Sequence, residues 1–241
     1  MVKIINEMKS YSISVLANYV CAVIFITTFA FCNDSNNTTK VSADIPQTVA
    51  TTLSFSNTKN IIFFGNSLTA GYGLDDINTG FVALTQRRLD SMKQNYHCIN
   101  AGLSGETTAG GSSRVDWIIA QQPFDIFILE LGGNDALRGI DPTSSEKNLQ
   151  TIIDKVRAKN TSAKIILAGM EAPRNMGKDY DTAFHGVYPS LAEKNNITLI
   201  PFILDNVGGI STLNQADGIH PNIEGNKIVV ENIWRVLKGG L

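Results

Sequence analysis

A serine, an aspartate and a histidine lie in this chain at places that suit nucleophilic chemistry. Ser67 follows a short apolar run in "IIFFGNSLTAGYGL", and Asp217 and His220 are three residues apart in "DGIHP". A carboxylate at this spacing can orient an imidazole and stabilise its protonated form, so that the second ring nitrogen is free to take a proton. A purely structural interpretation also fits, because Ser is common in turns and "DGIHP" is typical of the start of a helix.

Two further loops offer hydrogen-bond donors. Asn134 in "LGGND" carries an amide that could bind a developing oxyanion, and Gly105 in "LSGETT" has a bare backbone that could aim its N–H into the same cavity. Each signal is weak alone, since a Gly-Asn turn is common and "ETT" equally fits the capping run of a following helix. Together the loops supply a nucleophile, a base, an orienting carboxylate and donors.

Strands and helices that alternate along the chain are expected to bring these loops together. Five short runs are rich in β-branched or aromatic residues and apolar on both faces, as buried parallel strands are: "IIFFG", "YHCINA", "FDIFILEL", "KIILAGM" and "ITLIPF". Strands that alternate with helices form right-handed crossovers, so the pattern predicts an α/β fold, a three-layer α/β/α sandwich. Ligands bind at the carboxyl ends of such strands, where Ser67, Gly105 and Asn134 are expected.

Amphipathic stretches between the runs predict the helices. "GFVALTQRRLDSMKQ" and "SSEKNLQTIIDKVRAKN" have apolar residues at helical spacing, and the second begins with a serine cap signal. "PNIEGNKIVVENIWRVLKGG" is predicted to open with Pro221 and to close on Gly239. The segment "GMEAPRNMGKDYDTAF" is predicted as a loop at the border of the pocket, where Met170, Pro173 and Tyr180 could line an acyl site or belong to core or surface.

Composition argues against a nucleic-acid-binding protein and against a metal site. The chain has 241 residues, is 43% hydrophobic and has a net charge of -2, which suits a sizeable core and argues against a nucleic-acid partner. Three scattered histidines and one cysteine in the body offer no ligand spacing, so no metal is expected. His97 and His185 lack a carboxylate partner and are interpreted as structural or surface residues. Cys98 is interpreted as a small buried hydrophobe.

The N-terminus is typical of an export signal. Lys3 and Lys9 precede the apolar run "VCAVIFITTFAF", and no charged residue lies between Lys9 and Asp34. Initiation at Met8 is one option. The stretch is also long enough for a single membrane span.

Cys32 directly follows this run, and the polar segment after it suits a tether. Phe31 stands where bacterial lipoprotein signals usually have a small residue, so a lipid on Cys32, plain cleavage and a retained anchor all stay open. The predicted organisation is a signal peptide or anchor over 1–32, a polar linker over 33–59 and one domain over 60–241. The expected location is the periplasm, the membrane through the N-terminus, or the exterior.

The joint pattern "GNSLTAGYGL … NAGLSGETT … LGGND … DGIHPN" resembles the SGNH hydrolases, also called GDSL esterases and lipases. Within that family it is most similar to the arylesterase, thioesterase and lysophospholipase-like branch. The resemblance covers nearly all of 60–241 and implies a flavodoxin-like five-stranded parallel sheet. It implies Ser67 as nucleophile, His220 as general base and Asp217 as its partner.

The resemblance also implies an oxyanion hole formed by the N–H groups of Ser67 and Gly105 and the side chain of Asn134. The opening motif departs from the family's usual Gly-Asp-Ser, because Asn66 replaces the aspartate. An α/β-hydrolase elbow, G-x-S-x-G, is excluded since Thr69 stands two residues after Ser67.

The expected activity is that of a serine esterase without a cofactor, acting through an acyl-enzyme on a small-molecule ester. Aryl esters, short-to-medium acyl esters, lysophospholipids and thioesters are the expected substrates. Two alternatives stay open. One is a carbohydrate O-acetylesterase, and the other is a non-catalytic exported binding lipoprotein on a hydrolase scaffold.

Overall fold

Five strands and seven helices alternate along residues 58–241, the part of the chain that the computed structural model describes. The strands are β1 (Lys59–Gly65), β2 (Tyr96–Gly102), β3 (Ile126–Glu130), β4 (Lys164–Ala168) and β5 (Thr198–Ile200). The helices are α1 (Ser67–Ala70), α2 (Phe81–Ser91), α3 (Thr108–Gln121), α4 (Gly133–Leu137), α5 (Pro142–Lys159), α6 (Lys178–Asn195) and α7 (Ile223–Leu237). Short 3₁₀ turns lie at Ile77–Thr79 and Arg174–Met176.

All five strands are parallel, in the order β2-β1-β3-β4-β5. The first strand, β1, is therefore an inner strand. The next strand, β2, pairs with one edge of β1, and β3 pairs with its other edge. This reversal of the strand order is the topological switch point of a flavodoxin-like sheet, the place where such folds bind ligands. The predicted fold class is confirmed, and each of the five predicted strands is present.

Neighbouring residues of β1 fix which helices cover which face. Phe63 packs on Phe81 of α2, with ring centroids 6.1 Å apart. The next side chain, Phe64, lies under the guanidinium of Arg114 in α3, 4.3 Å from its ring centroid. Successive side chains of a strand point to opposite faces, so α2 and α3 lie on opposite sides of the sheet. The residues of β1 from 61 to 64 are buried on both faces, and burial of this surface drives the three layers together.

The ends of three elements differ from the predictions. Helix α5 begins at Pro142 because the side chain of Asp141 caps it by accepting from the Thr143 N–H, so the predicted serine cap is wrong. Asn222 caps α7 in the same way, and Pro221 precedes the helix instead of opening it. The second half of the predicted loop after β4 is helical, since α6 starts at Lys178.

The predicted signal or anchor over 1–32 and nearly all of the predicted linker over 33–59 lie outside the described residues. Strand β1 begins at Lys59, next to the predicted start of the domain. Within residues 58–241, no helix has the length and apolar character needed to cross a membrane.

Candidate active site

Ser67 is the first residue of α1, a helix of only one turn at the carboxyl end of β1. The preceding residue, Asn66, caps this turn because its side chain accepts from the N–H of Leu68. Gly71 ends the turn in a left-handed conformation. The strand, the cap and the short helix therefore fix the backbone on both sides of the serine hydroxyl, which stays partly exposed.

The structure brings Ser67, His220 and Asp217 into one hydrogen-bonded row. Nε2 of His220 lies 2.8 Å from Oγ of Ser67, although 153 positions separate the two residues in the chain. On the other side of the ring, Nδ1 of His220 lies 2.6 Å from Oδ2 of Asp217. This arrangement is consistent with an imidazole that donates from Nδ1 to the carboxylate and accepts the serine proton at Nε2.

Asp217 is held as a carboxylate. Its Oδ1 accepts from the backbone N–H groups of Ile219 and His220, at 2.9 and 3.0 Å. Burial acts to raise the pKa of Asp217, but the hydrogen bonds from the His220 ring and from these two N–H groups outweigh it and lower the pKa to about 2. A charged carboxylate at this distance favours the protonated form of an imidazole.

Tyr72 packs against the open face of the histidine. Its ring centroid lies 4.9 Å from that of His220, with the two planes inclined by 46°. Tyr72 itself is 55% exposed, so it forms part of the rim of the site. The contact limits rotation of the imidazole away from Ser67.

Asn134 lies in the helix that follows β3, and Gly105 lies in the loop that follows β2. Asn134 belongs to α4, and its Nδ2 donates to the carbonyl oxygen of Glu106 at 3.0 Å. One N–H of the amide is thereby used, and the second is available to a ligand. Gly105 has φ +80°, a conformation that favours glycine, and its carbonyl oxygen accepts from Arg138 at 3.0 Å. Within residues 58–241, no hydrogen bond uses the backbone N–H of Gly105 or Ser67.

A crevice of about 680 Å³, lined mainly by apolar residues, includes chain neighbours of Asn134 and His220 but neither of these residues nor Ser67. It extends from Gly133, next to Asn134, to Ile219, next to His220, and its lining includes Met170, Pro173 and Phe202. Met170 and Pro173 therefore border a pocket, as the sequence allowed. Tyr180 is absent from this lining: its hydroxyl donates to the carbonyl oxygen of Ile140 at 2.8 Å, and its ring stacks on Phe184.

The remaining histidines and the body cysteine lie away from this row. His97 and His185 are exposed. Cys98 is half-buried on β2, and burial together with the charge of Asp90 raises the pKa of its thiol to about 12, so it is not a reactive thiolate. It borders a second cavity, of about 330 Å³, whose lining includes Thr69 and Gly71 of the serine turn. Like the crevice, this cavity is lined by none of Ser67, Asp217 and His220.

Sequence reasoning missed four residues that support the site: Tyr72, Arg138, Gln215 and Glu130. Glu130 ends β3 beneath the serine turn and is fully buried. A signal for it was present, because a glutamate in the otherwise apolar run "FDIFILEL" needs partners in the core. Tyr72 and Arg138 carried no such signal, since both side chains are exposed and act through contacts between distant loops.

A family model places the chain in a known group of enzymes. The GDSL-like Lipase/Acylhydrolase family matches residues 63–228, which contain the end of β1, the strands β2 to β5, and Ser67, Asp217 and His220. The chain belongs to this family, as the resemblance predicted.

Characterised relatives agree with the family assignment. Esterase TesA of Pseudomonas aeruginosa is 39% identical over 180 residues, which are 75% of this chain and 88% of that protein. Thioesterase 1/protease 1/lysophospholipase L1 of Escherichia coli K12 is 33% identical over 171 residues, 71% of this chain and 79% of that protein.

Solved structures agree as well. The crystal structure of TesA matches with a TM-score of 0.72 and covers 76% of this chain and 100% of that one. AlinE4, an SGNH-hydrolase family esterase, is 38% identical and matches with a TM-score of 0.64, over 78% of this chain and 99% of that chain. The protein is therefore an esterase of the SGNH type, a hydrolase of carboxylic esters.

Proposed function

We propose that Ser67, His220 and Asp217 carry out acyl transfer from an ester to water. The observation that supports this most directly is the 2.8 Å contact between Oγ of Ser67 and Nε2 of His220. Such a contact is the geometry required of a nucleophile and its base. It joins two residues that are 153 positions apart in the chain.

In the first half of the reaction, Oγ of Ser67 attacks the ester carbonyl carbon while its proton passes to Nε2 of His220. The tetrahedral oxyanion is bound by the N–H groups of Ser67 and Gly105 and by the amide of Asn134. The carbon–oxygen bond to the leaving group then breaks, and His220 gives its proton to the departing alcohol. An acyl-serine remains.

In the second half, water takes the place of the alcohol. His220 removes a proton from the water as its oxygen attacks the acyl carbon, and the same donors hold the oxyanion again. When the bond to Oγ breaks, His220 returns the proton to Ser67 and the carboxylic acid leaves. Asp217 stays ionised throughout and stabilises the imidazolium.

The crevice supports a substrate with an apolar acyl chain. Its lining includes the apolar side chains of Met170, Phe202 and Ile219, and it reaches Gly133 and Ile219, which precede Asn134 and His220 in the chain. A volume of about 680 Å³ is in the range of small-molecule sites. Short-to-medium acyl esters with an aryl leaving group, lysophospholipids and thioesters are the proposed substrates, and the name of the Escherichia coli relative includes the last two activities.

A labelling experiment tests the assignment of the nucleophile. A fluorescent fluorophosphonate should label the wild-type protein covalently, and Ser67→Ala should abolish both labelling and hydrolysis of p-nitrophenyl esters. Ser54→Ala and Ser56→Ala, which remove hydroxyls before β1, serve as controls that keep the label. Labelling that persists in Ser67→Ala would show that another residue is the nucleophile. A panel of p-nitrophenyl esters from acetyl to palmitoyl, with acetylated sugars and acyl-thioesters, then defines the acyl and leaving-group preference.

We further propose that the protein is exported through its N-terminal apolar stretch. Two lysines before "VCAVIFITTFAF" and the polar segment after Cys32 support this. Attachment to a membrane, through a lipid on Cys32 or through an uncleaved anchor, is tested by mass spectrometry of the mature N-terminus. An unmodified, cleaved end contradicts both forms of attachment.

A further inference from the structure

A buried carboxyl group, that of Glu130, lies under the turn that carries Ser67 and has no part in the steps above. Glu130 is the last residue of β3 and pairs in register with Gly65, the last residue of β1. Its side chain is fully buried. A Cβ on Gly65 would lie 2.4 Å from Oε2 of Glu130, so glycine at 65 is what lets the carboxyl group reach the turn.

Four donors converge on its two oxygens. Oε2 accepts from the Thr69 hydroxyl at 2.7 Å and from the backbone N–H groups of Asn66 and Thr69 at 3.2 and 3.3 Å. Oε1 accepts from Nδ2 of Asn66 at 2.8 Å. All four donors belong to the segment 66–69, on either side of Ser67. An ionised carboxylate only accepts hydrogen bonds, and its charge strengthens them, so it suits this set of donors better than a neutral group does.

The other end of the Asn66 amide reaches the helix and the nucleophile. Its Oδ1 accepts from the N–H of Leu68 at 2.9 Å and from the Ser67 hydroxyl at 3.4 Å. An amide has donors at one end and an acceptor at the other, so Asn66 can face Glu130 and the start of α1 at once. An ionised aspartate in its place would set two charged oxygens at the 2.8 Å spacing that now joins Nδ2 to Oε1.

The other groups around Glu130 leave the donors of Asn66 and Thr69 as its polar partners among the described residues. Tyr188 of α6 approaches from the far side, but its hydroxyl donates to the carbonyl oxygen of Leu131 at 2.9 Å. Arg114 of α3 reaches the carbonyl oxygen of Gly65 at 3.5 Å and is paired with Glu106. Within residues 58–241, no basic side chain forms an ion pair with Glu130.

We propose that Asn66 and Glu130 form a positioning pair for the nucleophile, in which the carboxylate of Glu130 and the neutral amide of Asn66 lock the turn so that the Ser67 hydroxyl points at His220. When Glu130 is ionised the pair holds one negative charge, and its fit depends on a donor facing an acceptor at each contact. The inference rests on the proposed role of Ser67. Neither member of the pair touches the substrate, and both act through the serine.

Exchanging the two functional groups tests the pair. In Glu130→Gln the introduced NH₂ must face either the Asn66 amide or the donors of Thr69, so donors oppose each other in both orientations. We expect kcat for p-nitrophenyl butyrate to fall about 10- to 100-fold with KM nearly unchanged, the result of a misplaced catalytic group. The double variant Asn66→Asp/Glu130→Gln again sets an amide opposite a carboxylate, and it should recover at least about half of this loss on a logarithmic scale.

The single variant Asn66→Asp gives an independent readout. Two carboxyl groups this close cannot both ionise, so they share a proton until the pH is high enough to remove it. The kcat of this variant relative to wild type should therefore decline as the pH rises, and the double variant should lack this decline. A ratio that is constant with pH contradicts the proposal.

Two controls separate positioning from general loss of stability. Ile153→Val removes a methyl group from the buried face of α5, away from the turn, and should lower the melting temperature without lowering kcat. Circular dichroism checks that each variant folds. If Glu130→Gln does not fold, Thr69→Val removes the hydroxyl that donates to Oε2 of Glu130. The carboxylate is then held less firmly against Asn66, and kcat should fall several-fold.

The proposal is overturned if Glu130→Gln, or Thr69→Val in its place, keeps full kcat, or if the double variant is no better than Glu130→Gln alone. Failure of the proposed function looks different. In that case the wild-type protein itself does not hydrolyse the ester or take the fluorophosphonate label. With an active wild-type protein, the variants report on the pair alone.

Discussion

The side-chain amide of Gln215 donates a hydrogen bond of 2.8 Å to the carbonyl oxygen of Tyr72. The same nitrogen donates to the carbonyl oxygen of Pro221 at 3.1 Å, and the backbone N–H of Gln215 donates to the carbonyl oxygen of His220 at 2.7 Å. Gln215 thus ties the loop of the histidine to the loop that follows the serine. The two loops come from opposite ends of the domain sequence, so this link helps to keep the Ser67–His220 distance short.

Gln215→Leu should therefore lower kcat by about 10- to 100-fold while the fold is kept, because a nonpolar side chain of similar size cannot bridge the loops. Steady-state kinetics on p-nitrophenyl butyrate measure the loss. The matched control is Gln150→Leu, which breaks the side-chain hydrogen bonds of a glutamine on α5 to Asp154 and Asn195. Equal activities of the two variants would contradict a role for the link.

Asn134→Ala should reduce kcat by about 10²–10³-fold, the usual effect of losing one donor to an oxyanion. KM should change little, because the role proposed for the amide is to bind the charge that develops in the transition state. Asn160→Ala is the control: it also removes an amide that donates to a backbone carbonyl, that of Phe124, but at the other end of the sheet. Thermal melting of both variants checks that the kinetic difference does not come from unfolding.

Asp217→Asn should lower kcat by up to about 10⁴-fold, since an amide does not hold the imidazole in the required tautomer or stabilise its charged form. The stability of the protein should also respond to acid. Asp217 has a pKa of about 2 in the folded state, below its ordinary value of 3.8, so its contribution is complete above about pH 4 and is lost as the pH falls through about 2.

Chemical denaturation across this range should show the stability difference between wild type and Asp217→Asn shrinking as the pH falls. A difference that is constant from about pH 5 to about pH 2 would contradict the assigned hydrogen bonds.

The contribution of Glu130 to the stability of the protein should depend on pH in the opposite sense to that of Asp217. Burial raises the pKa of its carboxyl group from 4.5 to about 7, against the hydrogen bonds from Thr69 and Asn66 that favour the charged form. The folded state therefore binds the proton more tightly than the unfolded state, and ionisation of Glu130 costs stability as the pH rises from about 4.5 through about 7.

Relative to Glu130→Gln, the wild-type protein should become less stable between about pH 5 and about pH 8, as measured by urea denaturation. An unchanged difference would mean that Glu130 titrates in the folded protein as it does in the unfolded chain. The positioning pair would then hold the nucleophile without a cost in stability.

Local pattern was enough for most of the fold. The run from Ile61 to Phe64 is apolar at every position, which excludes a strand with a solvated face and requires a sheet covered on both sides. The helix ends were less predictable. The sequence predicted that a serine caps α5 and that Pro221 opens α7. The side chains of Asp141 and Asn222 cap these helices instead. Several neighbouring residues can accept from the first N–H groups of a helix, so the sequence alone does not identify the cap.

By itself, the sequence determined which residues have the chemistry of an esterase and which strand ends or loops carry them. Only the tertiary structure decided that Oγ of Ser67 and Nε2 of His220 lie 2.8 Å apart, and that Glu130 and Gln215 support them. The physical reason is the separation in sequence over which each interaction acts. Burial and helical periodicity act between neighbours in the chain and leave a pattern there, whereas a hydrogen bond across 153 positions depends on how the sheet, its crossovers and two loops pack together.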